Sequence, residues 1–217
     1  MATKKRRRKK KKKVSAAAIA LIIGGLITIP LAVVAVLIIF RVTTIDDVLP
    51  NAFSYPTQYE EYVTKYSTEY NVEPAFIYAV IKTESNFKPK AESEVGARGL
   101  MQLMEEAFTW LKSRMGDTRN INFDSMYDPQ TNIQYGTYYL SFLLVHYDNN
   151  MDLAAAAYHG GIGTVDGWLE QGIIDRNNVD INAIPQTNDK TAEYIRRIRK
   201  SYSKYKEILK DKKDISN

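Results

Sequence analysis

An all-α fold is predicted by three features of the 217-residue sequence. Apolar residues recur at three- and four-residue intervals through successive segments, no run keeps strand alternation for more than a few residues, and Pro, Asp and Gly stand where helices would start and stop. No internal repeat is visible.

Lys4 to Lys13 is an unbroken run of ten basic residues, followed by Val14 to Phe40, which carries no charge. These 27 residues exceed the roughly 20 needed to cross a bilayer as a helix. They are also longer than a signal-peptide core of about 7–15 residues. The expectation is therefore a single uncleaved transmembrane helix over 14–40. Basic residues flanking such a segment stay inside, so residues 1–13 read as a cytoplasmic tail that can also hold anionic lipid headgroups. The C-terminal bulk is then expected to be extracytoplasmic, beyond a short stalk over 41–54.

From Tyr55 the pattern becomes helical, with Tyr59, Val63, Tyr66 and Tyr70 on one face. Glu73-Pro74 starts a second helix, because proline's missing N–H costs nothing at an early position. That helix is apolar from Ala75 to Ile81 and delivers Glu84 near its end. Leu100 to about Met115 reads as a third helix, stopped by Gly116. Asp128 is a suitable N-cap, with Pro129 after it, for a long helix through Tyr135 and Leu144. Leu153 to Tyr158 is alanine-rich and suited to close packing, and glycines break it. A short helix over Val165–Leu169 and a last one from near Asp189, with Ala192, Ile195, Ile198, Tyr202, Tyr205 and Leu209 on one face, complete a domain over 55–210. Residues 211–217 read as a frayed tail.

Charge and composition exclude several functions. Of the 30 Lys and Arg residues ten lie in the basic run, so the rest of the chain carries 20 against 25 Asp and Glu, a formal −5. A mildly acidic globular part argues against nucleic acid as partner. The absence of cysteine removes disulfides, a thiolate nucleophile and cysteine-ligated zinc. With His146 and His159 the only histidines, neither a metal site nor a cofactor is expected.

Glu84 is the candidate for chemistry. A carboxyl group at the end of a buried helix is costly to ionise, which raises its pKa and keeps a proton available for general acid catalysis. Ser85 is expected to shape the turn that follows. Gly96 and Gly99 read as positions where the backbone passes close to a ligand. Met101 suits either the core or a cleft.

The order of short motifs resembles the catalytic domain of the soluble lytic transglycosylases over Tyr55 to about Ser203. These are Glu84-Ser85, Gly99-Leu100-Met101-Gln102, Asp128-Pro129 with Asn132-Ile133 and Gly136, Ala157-Tyr158, and Tyr194-Ile195. The resemblance implies a lysozyme-like helical domain, related to goose-type lysozyme. It implies peptidoglycan glycan strands as substrate, cleaved between N-acetylmuramic acid and N-acetylglucosamine to leave a 1,6-anhydro-muramic acid end. Glu84 is then the catalytic acid and base. Ser93 and Gln102 are implied to line the glycan cleft, and Tyr158 and Tyr194 to lie near Glu84 and orient it. An envelope or secretion assembly is an expected setting.

Two departures stand out. The family's Asn after Ala-Tyr is His159, a substrate-binding candidate that titrates near neutral pH. The Pro and Thr expected after Met104 are Glu105 and Ala107, so the turn there is expected to continue as helix, with Glu105 and Glu106 solvated near the cleft entrance. A hydrolytic muramidase and a catalytically silent glycan-binding scaffold are the competing functions.

Overall fold

The computed structural model describes residues 55–215, so the expected tail, membrane segment and stalk lie outside the described residues. Among the described residues every regular element is helical, and pairing of strand type is confined to isolated bridges at Glu92–Arg98 and Arg98–Leu103. Within the same range no helix is long and apolar enough to cross a membrane.

Helix α1 (Glu60–Tyr70) buries Val63 and Tyr66 and ends at Asn71 in the left-handed region, φ 53°. Helix α2 (Pro74–Ser85) has Pro74 in its first turn. Its residues Ala75 through Ile81 are all buried, so no face is left for water. It is the central helix of the main core, which also draws on Tyr147, Leu153 to Ala157, Ile195, Ile198 and Tyr205.

Between α2 and α3 (Glu105–Arg114) lies a long loop. The third helix was expected from Leu100 but begins at Glu105. Gly99 and Gln102 have φ of 80° and 49°, and Arg98 and Leu103 exchange backbone hydrogen bonds at 2.9 and 3.1 Å. Two left-handed residues inside a closed turn cannot continue a right-handed helix. A small second core of Leu103, Phe108, Leu111, Phe123, Met126 and Tyr135 lies beneath α3 and a 3-10 turn over Phe123–Tyr127.

Helix α4 (Pro129–His146) starts as its sequence requires: Asp128 accepts hydrogen bonds from the Thr131 N–H and hydroxyl, both at 2.8 Å. Helices α5 (Met151–Gly160) and α6 (Ile162–Glu170) follow, then α7 (Asp189–Ile215). Helix α7 packs along α2 and α5. It continues to Ile215, into the stretch over 211–217 expected as a frayed tail, and Lys212 ties it to Thr57 and Glu60, both at 2.8 Å.

The loop is pinned by Asn132, a fully buried residue of α4. Its side-chain oxygen accepts from the Met101 N–H at 2.8 Å, and its amide donates to the carbonyls of Arg98 and Met126 at 3.0 and 2.9 Å. A Cβ at Gly99 would lie 2.0 Å from the Met126 carbonyl and 2.3 Å from this amide, so the approach needs glycine. Gly136 likewise leaves room for the Met101 sulfur, and Met101 is core. Asn132→Ala orphans the buried Met101 N–H and Met126 carbonyl, leaves the Arg98 carbonyl only its bond from the Leu103 N–H, and is expected to cost about 3 kcal/mol of unfolding free energy in denaturant titration. A loss of less than about 0.5 kcal/mol would show that the loop is held by other contacts.

Candidate active site

The C-terminal end of α2, the 86–104 loop, α5 and α7 converge on Glu84. The Tyr194 hydroxyl of α7 donates to Glu84 Oε1 at 2.7 Å. Arg197, one turn further along α7, donates to the Thr83 carbonyl at 2.8 Å, capping one of the carbonyls left open at the end of α2. The Ser85 hydroxyl points the other way and donates to the Leu100 carbonyl at 2.7 Å, with the Ile81 carbonyl at 3.2 Å. It therefore joins the helix end to the loop. Tyr158 of α5 is close enough to feel the charge of Glu84, but its hydroxyl donates to the Met101 carbonyl at 2.7 Å, not to the carboxylate.

These contacts set the electrostatics of Glu84. It keeps part of its surface open, yet protein surrounds most of the carboxyl group. Desolvation outweighs the Tyr194 hydrogen bond and the Arg197 charge, and the pKa is pushed up to about 7. The groups acting on its charge are thus a phenol and a guanidinium, not a second carboxylate. Among the described residues Oε2 has no hydrogen-bond partner, which leaves it open for an incoming group. Burial and the Glu84 charge push both phenols, Tyr158 and Tyr194, well above the ordinary tyrosine range, so they remain O–H donors.

His159 is exposed and stacks on Tyr194, ring centroids 4.7 Å apart at 28°. Its Nδ1 lies 3.1 Å from the Thr191 hydroxyl. Desolvation, then Lys190 and Arg197, hold its pKa below the ordinary histidine value. His159, Tyr194, Arg197, Lys190, Asp189 and Glu193 line a hollow of 400 Å³. A larger hollow of 570 Å³ lies at the other end of α2, around Glu73, Phe76 and Tyr202. Eleven residues at 1.5 Å each place it roughly 16 Å along the helix from Glu84, too far for shared chemistry.

Glu84, Tyr158, His159 and Tyr194 thus form one cluster, while Ser93 and Gln102 sit on the loop beside it. Gln102 donates to the carbonyls of Ala91 and Gly99 at 3.1 and 2.9 Å, and the Ser93 hydroxyl accepts from the Ala97 N–H at 3.0 Å. In this structure both spend hydrogen bonds on shaping the loop. Glu105 and Glu106 are exposed. Thr191 and Arg197 were not foreseen from sequence. The signal was their three-residue spacing either side of Tyr194, which places all of them on one helix face. Among the described residues no group of three or more His, Asp or Glu is arranged to hold a metal.

Comparison with known proteins locates this arrangement. The soluble lytic murein transglycosylase of Salmonella typhimurium is 33% identical over 115 residues, covering 53% of this chain and 18% of that protein. The membrane-bound lytic murein transglycosylase C of Yersinia pestis is 34% identical over 120 residues, 50% of this chain and 32% of that protein. The chain thus spans less than a third of the relatives' length over the matched regions. The crystal structure of the 70 kDa soluble lytic transglycosylase of Escherichia coli superposes with a TM-score of 0.66 at 28% identity, over 71% of this chain and 25% of that one. With the transglycosylase SLT domain model matching residues 61–178, more than half of its length, the chain belongs to the transglycosylase SLT domain family.

Proposed function

We propose that this domain is the catalytic part of a peptidoglycan lytic transglycosylase, with Glu84 as its single catalytic carboxyl group. The observation that carries this is a desolvated carboxyl, held at 2.7 Å by one phenol, with one oxygen free and no carboxylate acting on it. With a pKa of about 7, Glu84 is protonated often enough near neutrality to donate and basic enough afterwards to accept.

Glu84 gives its proton to the glycosidic oxygen as the bond from C1 of N-acetylmuramic acid breaks, releasing the N-acetylglucosamine hydroxyl. Positive charge at C1 is shared with the substrate's N-acetyl group. The Glu84 carboxylate then takes the proton of the C6 hydroxyl as its oxygen bonds to C1. The 1,6-anhydro ring closes, Glu84 regains its proton, and no water is consumed. Inverting and retaining glycosidases instead use two carboxyl groups flanking the bond. Tyr194 orients Glu84 and stabilises its charged form. Tyr158 fixes the Met101 carbonyl and offers ring surface. Ser93, Gln102 and His159 line the approach for sugar hydroxyl and acetamide groups.

In the same reading the apolar run over 14–40 anchors the enzyme in the bacterial cell membrane, with residues 1–13 cytoplasmic and against anionic headgroups and the domain outside. Support comes from the length of that run and from a family that includes membrane-bound relatives. An anchor confines cleavage to wall near the membrane, as wall remodelling or opening for a secretion apparatus requires.

Mass spectrometry of peptidoglycan digests tests the reaction: the expected end is one water lighter than a hydrolysed one. Glu84→Gln is expected to lower release of that product by at least about a hundredfold. Equal digestion by both forms would remove Glu84 from the mechanism, and a hydrated end would assign the muramidase reaction.

Because the acid form is needed first, kcat/KM is expected to fall as pH rises above about 7. Tyr194 holds the Glu84 pKa down, so Tyr194→Phe is expected to move that alkaline limb to higher pH while lowering kcat. An unmoved limb would detach Tyr194 from Glu84.

His159 belongs to the acid side of the profile. Its lowered pKa places proton uptake below the ordinary histidine range, where the new charge is opposed by Lys190 and Arg197. His159→Asn is expected to remove the acid-side pH dependence of KM and leave the alkaline limb in place. Superimposable profiles would reduce His159 to a tolerated substitution.

A further inference from the structure

Of the two tryptophans, Trp168 is 5% exposed and belongs to the core, whereas Trp110 on α3 is 40% exposed. An indole left in water needs a reason when its own helix has a buried face at Phe108 and Leu111. Trp110 is nevertheless held in place. Its ring meets Tyr139 at 6.1 Å and 73° and Phe142 at 5.1 Å and 71°, while the Arg114 guanidinium lies over it at 5.3 Å.

The row continues toward the site. Tyr139 meets Tyr158 at 5.2 Å, and Tyr158 lies beside the Met101 carbonyl and within the field of Glu84. All of these rings keep some exposed surface. Burial raises the Tyr139 pKa, yet its hydroxyl has no hydrogen-bond partner among the described residues. That hydroxyl is not sealed from solvent, so it is free to donate to a ligand laid along the row. At the outer end, Glu105, Glu106, Thr109 and Trp110 line a hollow of 510 Å³. Glu106 and Trp110 are four apart on α3 and so share a face.

We propose that Trp110, with Glu106 and Thr109, forms an outer sugar subsite that takes a hexosamine ring of the same glycan strand that is presented to Glu84, the Trp110–Tyr139–Tyr158 row being the track between them. The inference rests on the glycan-cleavage reading above. The apolar C–H face of a pyranose stacks on an indole whose orientation is already fixed by its neighbours, so little ordering entropy is lost on binding. The carboxylate of Glu106 and the hydroxyl of Thr109 accept hydrogen bonds from the ring's rim hydroxyls. Tyr139 supplies a donor to the sugar between. Such a subsite makes cleavage depend on strand length, because a short fragment cannot reach Trp110 and Glu84 together.

The test uses the full chain in detergent and peptide-free glycan fragments of short and long length. Trp110→Ala is expected to reduce the preference for long over short fragments, as a ratio of kcat/KM, about tenfold, and Trp110→Phe to restore most of it. Binding of long peptide-free glycan to the Glu84→Gln chain, with and without Trp110→Ala, reads the subsite without turnover. Weakened binding there supports the subsite even if the wild type leaves glycan uncleaved, an outcome that would sink the catalytic reading alone. An unchanged ratio overturns the proposal. So does equal loss on both lengths with a lowered unfolding midpoint, which assigns Trp110 to packing. A loss seen only on peptide-bearing strands also overturns it and assigns the hollow to stem peptides.

Discussion

The Asn132 amide sits where the site's geometry is decided. It uses its oxygen and both hydrogens of its nitrogen on three backbone groups that belong to the loop and to the 3-10 turn before α4. The loop it pins presents two carbonyls, Leu100 and Met101, to Ser85 and Tyr158 respectively. One comes from the helix that bears Glu84 and the other from α5. If the turn moved, both partners would lose short hydrogen bonds and the wall around Glu84 would open. Removing a buried amide is therefore a change to the site as much as to stability, since an orphaned buried group costs more than the bond it made.

Glu84 itself is destabilising in its charged form. With its pKa raised from 4.5 to about 7, the folded chain binds that proton more tightly than the unfolded chain. This contribution to stability is present at acid pH and lost as pH rises through 7. The surrounding core offsets the strain: α2 is buried on every side, and α7 packs along it and brings Tyr194 and Arg197 to its end. The same helix thus raises the pKa by excluding water and moderates the rise with one phenol and one guanidinium. Such opposed effects set a group near neutrality, where acid and base roles are both available to it.

Much of the fold was legible because its punctuation is local. Asp128-Pro129, Glu73-Pro74 and the alanine run before Gly160 act within a few residues, and the helices begin and end close to where those residues demand. Leu100–Met104 was misjudged because its apolar content has helical spacing, while the left-handed turn there depends on a close approach to Asn132, 31 residues from Met101. The end of α7 was misjudged for a similar reason. Its charged residues look solvated until Lys212 meets Glu60, 152 residues away.

For the site, Glu84 and the pair of tyrosines were recognisable as residue types in an ordered series of motifs. What each phenol does was not. Tyr194 reaches the carboxylate and Tyr158 reaches a loop carbonyl, a distinction only packing of α5 and α7 around α2 can draw. Arg197, Thr191 and Trp110 carried no motif, and their places follow from helix faces meeting at fixed angles. The amino-acid sequence by itself determined most of the helical elements, the carboxyl group at the end of an apolar helix and the family, because these depend on local periodicity and on the order of short motifs. Only the tertiary structure decided how far burial lifts the Glu84 proton affinity and which side chains face it, because desolvation and hydrogen bonding depend on groups brought from over a hundred residues away.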